Sequence, residues 1–232
     1  MRTDEHGQQV GAPVPGWTPR PAPRPVTLDG RWCRLVPYAP EHDEPLHVAL
    51  DLESSPTVWS YYPSGPHRST DDLRAWLGRV VARPDQVTMT VLSPAGAPLG
   101  VACYLRIDPP NGSVEVGNIV YGSALQRTTA ATEAMYLMMR HAFDDLGYRR
   151  YEWKCDALNA PSRDAAERLG FTYEGTFRNA VVYRGRNRDT AWFSVTDAEW
   201  PRLRTGLERW LDPANFDADG RQRTALDVRT RR

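Results

Sequence analysis

Hydrophobic positions along the chain follow two periods, and the changes of period mark the predicted elements. Alternation of every second residue predicts strands, whereas apolar residues at three- and four-residue steps predict helices. Strands are predicted at Arg31–Val36, Val87–Leu92, Leu99–Ile107, Val114–Tyr121, Arg150–Ala157, Phe171–Arg178 and Asp189–Val195. Helices are predicted at Pro40–Leu52, Thr70–Val81, Thr129–Leu146, Pro161–Leu169 and Asp197–Leu211. This order predicts an α+β domain on a mixed, mostly antiparallel sheet of six to seven strands, with helices on both faces.

The two ends of the chain differ from this body in composition. Residues 1–25 are rich in proline and poor in aliphatic side chains, which predicts an extended arm with Trp17 as its large apolar anchor. Residues 26–211 form the predicted domain, and residues 212–232 form a polar tail. The tail is interpreted as a solvated extension or as a grip for an acidic partner. Its arginines are Arg221, Arg223, Arg229, Arg231 and Arg232.

Composition excludes several classes of protein. The 29 basic and 29 acidic residues leave no net charge, so nucleic acid is not an expected partner. No apolar run has the length of a signal segment or a membrane span, which favours a cytoplasmic protein without membrane contact. The three cysteines lie far apart without metal-ligand spacing, so we expect reduced, buried thiols and no metal.

The start of the third predicted helix, at Thr129, breaks the usual charge rule. Acidic residues normally collect in the first turn of a helix, where unpaired N–H groups carry partial positive charge. Here no acid precedes Glu133, and small side chains leave the backbone accessible. The pattern predicts an external anion at this helix end, and the alternative is a helix start with an incidental arginine. The turn contains Gln126, Arg127, Thr128, Thr129, Ala130 and Ala131.

A second segment places a hydroxyl at the end of a strand. Asn159 is a natural N-cap, Pro161 suits the first helical turn, and Ser162 then lies beside a second helix N-terminus. A capped helix that packs through Leu169 and Phe171 explains the other residues equally well, but it does not require Ser162.

Together these segments resemble the GNAT superfamily of acyl-CoA-dependent N-acyltransferases over about residues 26–201. Within it they are most similar to the branch of the ribosomal-protein N-terminal acetyltransferases RimJ and RimL. Gln126 and Ala131 match the family's Gln/Arg-x-x-Gly-x-Gly/Ala signature, while Thr129 replaces the usual first glycine. The later Asn-x-x-Ser motif and its Leu-Gly-Phe ending match Asn159, Ser162, Leu169, Gly170 and Phe171.

The resemblance implies a GNAT fold with splayed central strands and acetyl-CoA as cosubstrate. It implies that residues 126–131 bind the pyrophosphate, with Thr128 or Thr129 donating to a phosphate oxygen. It further implies that Asn159 contacts the pantetheine amides and that Ser162 protonates the departing thiolate. The backbone of the preceding strand would pair with pantetheine and polarise the thioester carbonyl, with a bulge expected at Gly117. Its residues are Ile119, Val120 and Tyr121.

The acceptor side carries weaker signals. Glu115 is a candidate general base and Glu152 a second one, although either is equally explained as a surface carboxylate. Trp59 and Tyr61 on an aromatic loop, with Glu152 and Trp153, are candidate acceptor contacts, and packing of these side chains is the alternative. The branch's glutamate has an apolar counterpart at or near Val181, which argues against ribosomal-protein acetylation.

These observations predict an N-acetyltransferase that moves an acetyl or other acyl group from acyl-CoA to a primary amine. The amine attacks directly in a ternary complex, and it belongs to a peptide or protein N-terminus or to a small molecule. A non-catalytic acyl-CoA sensor or interaction module is the alternative function. A homodimer is compatible with the sequence but is not indicated by any motif.

Overall fold

The computed structural model describes residues 2–228 and contains one large sheet with helices on both faces. The strands are β1 (Arg2–Thr3), β2 (Gln9–Val10), β3 (Leu28–Asp29), β4 (Arg34–Pro37), β5 (Val87–Leu92), β6 (Pro98–Asp108), β7 (Ser113–Tyr121), β8 (Arg150–Asp156), β9 (Thr172–Tyr183) and β10 (Arg186–Thr196). The α-helices are α1 (Asp43–His47), α2 (Thr70–Val81), α3 (Thr129–Arg140), α4 (Ala160–Arg168) and α5 (Trp200–Leu211).

The large sheet has the order β3-β4-β5-β6-β7-β8-β10-β9, and β1 pairs with β2 in a separate ladder. Every neighbouring pair in the large sheet is antiparallel except β7 and β8, which run parallel. The predicted mixed, mostly antiparallel α+β architecture is therefore confirmed. The sheet has eight strands rather than six to seven, because the short strand β3 at Leu28–Asp29 precedes the predicted strand Arg31–Val36 and forms a hairpin with β4.

That hairpin is tied to α3 by the carboxylate of Glu133. The carboxylate accepts hydrogen bonds from the backbone N–H groups of Arg31, Trp32 and Cys33 at 2.9, 2.6 and 2.8 Å. These bonds satisfy the turn's backbone donors, which would otherwise be buried without a partner. The first acidic residue of α3 is thus structural and leaves the helix N-terminus without a carboxylate.

Two predicted helices end in a wider turn. The segment predicted at Pro40–Leu52 contains a 3-10 turn, then α1, then a π-helical turn at Val48–Leu52. The long predicted helix likewise continues beyond α3 as a π-helical turn at His141–Asp145. The bounds of α2 and β5 match the predictions from sequence. Across residues 2–228, no helix combines the length and apolar character needed to cross a lipid bilayer.

Alternating residues along the strands belong to two hydrophobic clusters, one on each face of the sheet. On β6, Val101 and Cys103 pack with α1 and α2, while Ala102 and Tyr104 pack with α3 on the opposite face. All three cysteines are buried and free of disulfides. The helices therefore divide between the faces as predicted, with α3 and α5 on one side and α1 and α2 on the other.

Both chain ends contact the body. The indole N–H of Trp17 donates to the backbone carbonyl of Pro110 at 2.8 Å, so the arm lies over the β6–β7 turn. At the other end, Val228 is 1% exposed and packs against α5 near Gly206. The predicted tail therefore turns back onto the domain as far as residue 228. Its arginines at 229, 231 and 232 lie outside the described residues.

Candidate active site

The central strands part at the middle of the sheet. Strands β7 and β8 pair only where Ser113–Val116 faces Arg150–Trp153, and β7 separates from β8 beyond Val116. A bulge in β7 accompanies the separation, because the pairing with β6 skips two positions between Gly117 and Val120. The bulge thus lies next to Gly117, where the sequence predicts it, and its residue with left-handed backbone is Asn118, at φ 47°.

Gly117 is required for space rather than for its backbone angle. A β-carbon at this position would lie 2.9 Å from Cδ2 of Leu105 and 3.1 Å from Oε1 of Glu115. Any larger residue would therefore displace the carboxylate of Glu115. The glycine keeps room for this carboxylate at the point where the strands divide.

The separated strand edge opens into a cleft of about 1790 Å³. Ile119 and Tyr121 line it, whereas the side chain of Val120 is buried in the cluster with α1 and α2. Backbone groups on this side of β7 have lost β8 as a partner, so an extended ligand with amide groups fits the vacated edge. The carbonyl of Ile119 is the exception, because the hydroxyl of Tyr62 donates to it.

The N-terminus of α3 opens into the same cleft. Thr128 is its N-cap: Oγ1 accepts from the N–H of Ala131 at 3.1 Å and donates to the carbonyl of Leu125 at 2.7 Å. The hydroxyl of Thr128 is thus already engaged as donor and acceptor, which leaves Thr129 as the candidate hydroxyl donor to a phosphate. Thr129 is already helical and makes no hydrogen bond through its hydroxyl within residues 2–228. The N–H groups of Thr129 and Ala130 have no acceptor in the helix.

Left-handed backbone appears just before this helix, at Arg127, where φ is 60°. The glycine expected at position 129 is therefore not needed for backbone freedom there. Gln126 closes the turn, since its side-chain amide donates to the carbonyl of Tyr121 at 2.8 Å. Five residues of this turn line the cleft and Ala130 does not; the five are Gln126, Arg127, Thr128, Thr129 and Ala131.

Arg168 is a cleft residue that the sequence analysis missed. Its guanidinium donates to the hydroxyl of Thr132 at 3.0 Å and lies 4.9 Å from the ring centroid of Trp210. It makes no ion pair within the part of the chain that the structure describes, and burial lowers its pKa. The local sequence contains no signal for this residue, because its approach to α3 depends on how α4 packs.

At the start of α4, a short chain of hydrogen bonds fixes Ser162. The side-chain carbonyl of Asn159 accepts from the N–H of Ser162 at 3.2 Å, as expected for an N-cap. The indole N–H of Trp153 donates to Oγ of Ser162 at 3.0 Å. Since an indole nitrogen is only a donor, the hydroxyl of Ser162 accepts this bond and keeps its own proton for another partner. Trp153 also lines the cleft, so its contact with the acceptor stays a prediction.

Glu115 lies on the cleft-facing side of β7 among positive charges. Its Oε2 is 3.0 Å from Nζ of Lys154 and 3.1 Å from Nε of Arg106. Burial raises the pKa of Glu115, and the two cations cancel only part of this rise. A carboxyl group with a raised pKa in a cleft is suited to accept a proton near neutral pH.

Glu152, the other carboxylate considered, is held differently. It pairs with Arg150 at 2.7 Å and with Lys154 at 2.7 Å. Burial alone raises its pKa, but the bonds from Lys154 and Arg150 outweigh burial and hold the pKa below its ordinary value. Glu152 does not line the cleft, so the predictions that it contacts the acceptor or acts as base are wrong.

The aromatic loop after α1 supplies one cleft wall through its tyrosines. Trp59 is 0% exposed and packs against Trp76 and His67, so its prediction as an acceptor contact is wrong. Tyr61 does line the cleft, and its hydroxyl donates to the carbonyl of Leu158 at 2.9 Å. Tyr62, which the sequence analysis did not single out, links this loop to the bulged strand β7.

Parallel strands that part beside an open helix N-terminus offer a strand edge to an extended ligand and N–H groups to an anion. The sequence profile of the acetyltransferase (GNAT) domain matches residues 33–172, which is more than half of the chain. The chain therefore belongs to the GNAT acetyltransferase family.

Solved structures and curated proteins agree with this assignment. A GCN5-related N-acetyltransferase from Brucella melitensis is 43% identical with a TM-score of 0.89, and the match covers 92% of this chain and 97% of that one. YdaF of Bacillus subtilis (strain 168), which carries the name of a ribosomal N-acetyltransferase, is 26% identical over 105 residues. That match covers 45% of this chain and 57% of YdaF, so the chain spans little more than half of this curated relative.

The fold is also shared with a more distant enzyme. Spermidine N-acetyltransferase from Vibrio cholerae, solved with CoA and spermine, is 16% identical with a TM-score of 0.58. The match covers 72% of this chain and 96% of that one. At this identity the likeness shows the fold alone.

Proposed function

We propose that this protein transfers an acetyl group from acetyl-CoA to a primary amine. The observation that carries the proposal is the parting of β7 from β8 directly beside the unneutralised N-terminus of α3. One feature offers a free strand edge to a chain of amides, and the other offers free N–H groups to an anion. These are the two chemical parts of the pantetheine diphosphate arm of coenzyme A.

The pyrophosphate is assigned to the first turn of α3. The N–H groups of Thr129 and Ala130, with the hydroxyl of Thr129, supply donors, and Arg127 adds positive charge at the rim. Arg168 provides a second cation inside the cleft. Pantetheine is assigned to the edge of β7 from Gly117 to Tyr121, and the side-chain amide N–H₂ of Asn159 is directed to it as a further donor.

Glu115 and Ser162 are assigned the two proton transfers. The bound cosubstrate supplies an activated acetyl group whose carbonyl carbon is attacked by the neutral amine. Glu115 removes a proton from the amine, consistent with its raised pKa and its position at the fork of the strands. Ser162 donates a proton toward the departing sulfur, and the bond from Trp153 directs its hydroxyl for that purpose.

The acceptor of this reaction is proposed only as an amine-bearing peptide or small molecule. Position 181 carries an apolar valine that lines the cleft, so the glutamate of the ribosomal-protein branch has no counterpart there. The ribosomal name of YdaF is therefore not extended to this chain.

Two measurements test the proposal. Calorimetry should show that the wild-type protein binds CoA. Thr129→Asp should abolish this binding, because its carboxylate repels the pyrophosphate at the N-terminus of α3. Release of CoA thiol from acetyl-CoA across a panel of amines should require both the amine and Glu115. Binding without thiol release for any amine would indicate the sensor function, and no binding at all would refute both.

A further inference from the structure

Three unpartnered polar groups lie in a row on the acceptor side of the sheet. Nε of Arg188, Oγ1 of Thr190 and Nε1 of Trp192 are buried and have no hydrogen-bond partner within residues 2–228. The three residues occupy alternate positions of β10 and therefore share one face of the sheet. All of them line the cleft. We call this set the donor row.

Leaving such groups without partners is costly. A buried donor without a partner loses its hydrogen bonds to water and gains none in return, and the loss is larger for a charged group. Thr190 is only 6% exposed, so solvent reaches its hydroxyl poorly. Three such groups side by side in a cleft indicate a site that a ligand completes.

The neighbouring carboxylates are already paired with other groups. Asp156, opposite Thr190 on β8, accepts from the N–H of Leu158 at 2.9 Å and from the hydroxyl of Tyr183 at 3.0 Å. Asp189, next to Arg188, accepts from the N–H of Asn179 and the side chain of Asn187.

Glu115 is likewise paired, with Lys154 and Arg106. Within the described part of the chain, Arg188 therefore has no ion pair. Its charge remains available to a ligand.

Charge in this part of the cleft also favours an anion. Two of the lining cations are already paired, Arg106 with Glu115 and Lys154 with Glu115 and Glu152, whereas Arg83 and Arg188 have no ion pair within residues 2–228. Lys154 lies 3.5 Å from the ring centroid of Trp192, next to the donor row. The lining cations here are Arg83, Arg106, Lys154 and Arg188.

We propose that the acceptor amine carries an anionic oxygen group, a carboxylate or a phosphate, that pairs with Arg188. The acceptor also presents an oxygen that accepts a hydrogen bond from Thr190 or Trp192. This substrate class rests on the proposed function, because it places the acceptor on the face of the sheet that holds Glu115. The Cα atoms of the row span about 13 Å, at 3.3 Å per residue, so the test compares acceptors of several lengths. Simple polyamines lack oxygen, so they cannot accept the hydrogen bonds that the donor row offers.

The test compares acceptors that differ only in charge. Each set contains an ω-amino carboxylate, the ω-amino phosphonate of the same length and the neutral ω-amino amide, with two to six carbons between the functional groups. In the wild type, kcat/KM for the best anionic member should exceed that of its amide at least tenfold. The preference between carboxylate and phosphonate identifies the anion. Equal values for anion and amide would overturn the proposal.

Variants assign the preference to the donor row. Arg188→Gln should reduce the ratio of anionic to neutral kcat/KM at least tenfold, and Arg188→Lys should reduce it less. Arg186→Gln is the matched control, because this arginine is exposed on the same strand outside the cleft. Thr190→Val, which keeps the side-chain shape, provides a second variant if Arg188→Gln is unstable. An unchanged ratio in a folded variant would overturn the proposal.

Calorimetry on the CoA-saturated protein separates this proposal from the proposed function. Binding of the ω-amino carboxylate or phosphonate that disappears in Arg188→Gln supports the anion site even if no amine is acetylated. Acetylation of amides and anions without discrimination supports the acetyl transfer and refutes the anion site. Absence of anion binding in the wild type refutes the site as well.

Discussion

Replacing Ser162 with alanine tests two physical roles of one hydroxyl at once. In the native protein this hydroxyl accepts a bond from the indole N–H of Trp153 at 3.0 Å and keeps its own proton for the proposed transfer to sulfur. Ser162→Ala removes the proton donor and leaves the buried indole N–H without its partner. The first loss affects catalysis, and the second affects stability.

The two effects are measured separately, one as a change in kcat and the other as a change in the free energy of unfolding. Loss of a general acid lowers kcat by about 100-fold to 10,000-fold. Loss of the acceptor for a buried neutral N–H costs about 1–2 kcal/mol of unfolding free energy. Trp153→Phe removes the donor itself, so Ser162→Ala should cost less stability in the Trp153→Phe background than in the wild type. The cavity left by the smaller buried ring lowers stability in both backgrounds and cancels from this comparison. As a single substitution, Trp153→Phe leaves the Ser162 hydroxyl free to rotate. If its orientation stabilises the transition state by about 1 kcal/mol, kcat falls about fivefold.

The assay is a double-mutant cycle with two readouts. Urea unfolding gives the coupling free energy between the two side chains, and CoA thiol release gives kcat. CoA affinity, measured by calorimetry, should change little in any of the variants. Unchanged kcat in Ser162→Ala would refute its role as proton donor. Additive stability effects would show that the bond from Trp153 contributes nothing in solution.

Two further predictions concern the base and the helix N-terminus. In the wild type, kcat should rise with pH through the pKa of Glu115, which lies above 4.5, because the ionised carboxylate is the active form. Glu115→Gln should lower kcat by about 100-fold or more and abolish this limb of the pH profile, and a limb that persists in the variant would exclude Glu115 as the base. At α3, Thr128→Ala should cost about 1 kcal/mol in urea unfolding through loss of the N-cap. Thr129→Ala should leave stability almost unchanged but weaken CoA binding about tenfold, since a hydrogen bond to a charged group contributes about 1.5 kcal/mol. If calorimetry shows wild-type affinity for CoA in this variant, Thr129 does not contact a phosphate.

The features that sequence predicted are those fixed by neighbours along the chain. The caps at Thr128 and Asn159 and the alternation of the strands depend on contacts within a few residues. The missed features depend on residues far apart in sequence. Glu133 binds a turn about 100 residues away, and Trp59 becomes buried only when α2 packs over the aromatic loop. Arg168 and the donor row lie in the cleft because of tertiary packing.

The register of β8 links the fold to the proposed chemistry. Its odd-numbered residues, including Trp153, face α3 and α4, where Ser162 and the proposed CoA site lie. Its even-numbered residues, including Lys154, face Glu115 and the donor row. A shift of one residue would exchange these two sets, because side chains alternate between the faces of a strand.

Pairing with β10 on one side and with the first four residues of β7 on the other fixes this register. In the proposed reaction, the gap beyond Val116 is the place where an amine on one face meets a thioester reaching from the other. The proposal therefore assigns cosubstrate binding and the approach of the amine to the same break in pairing.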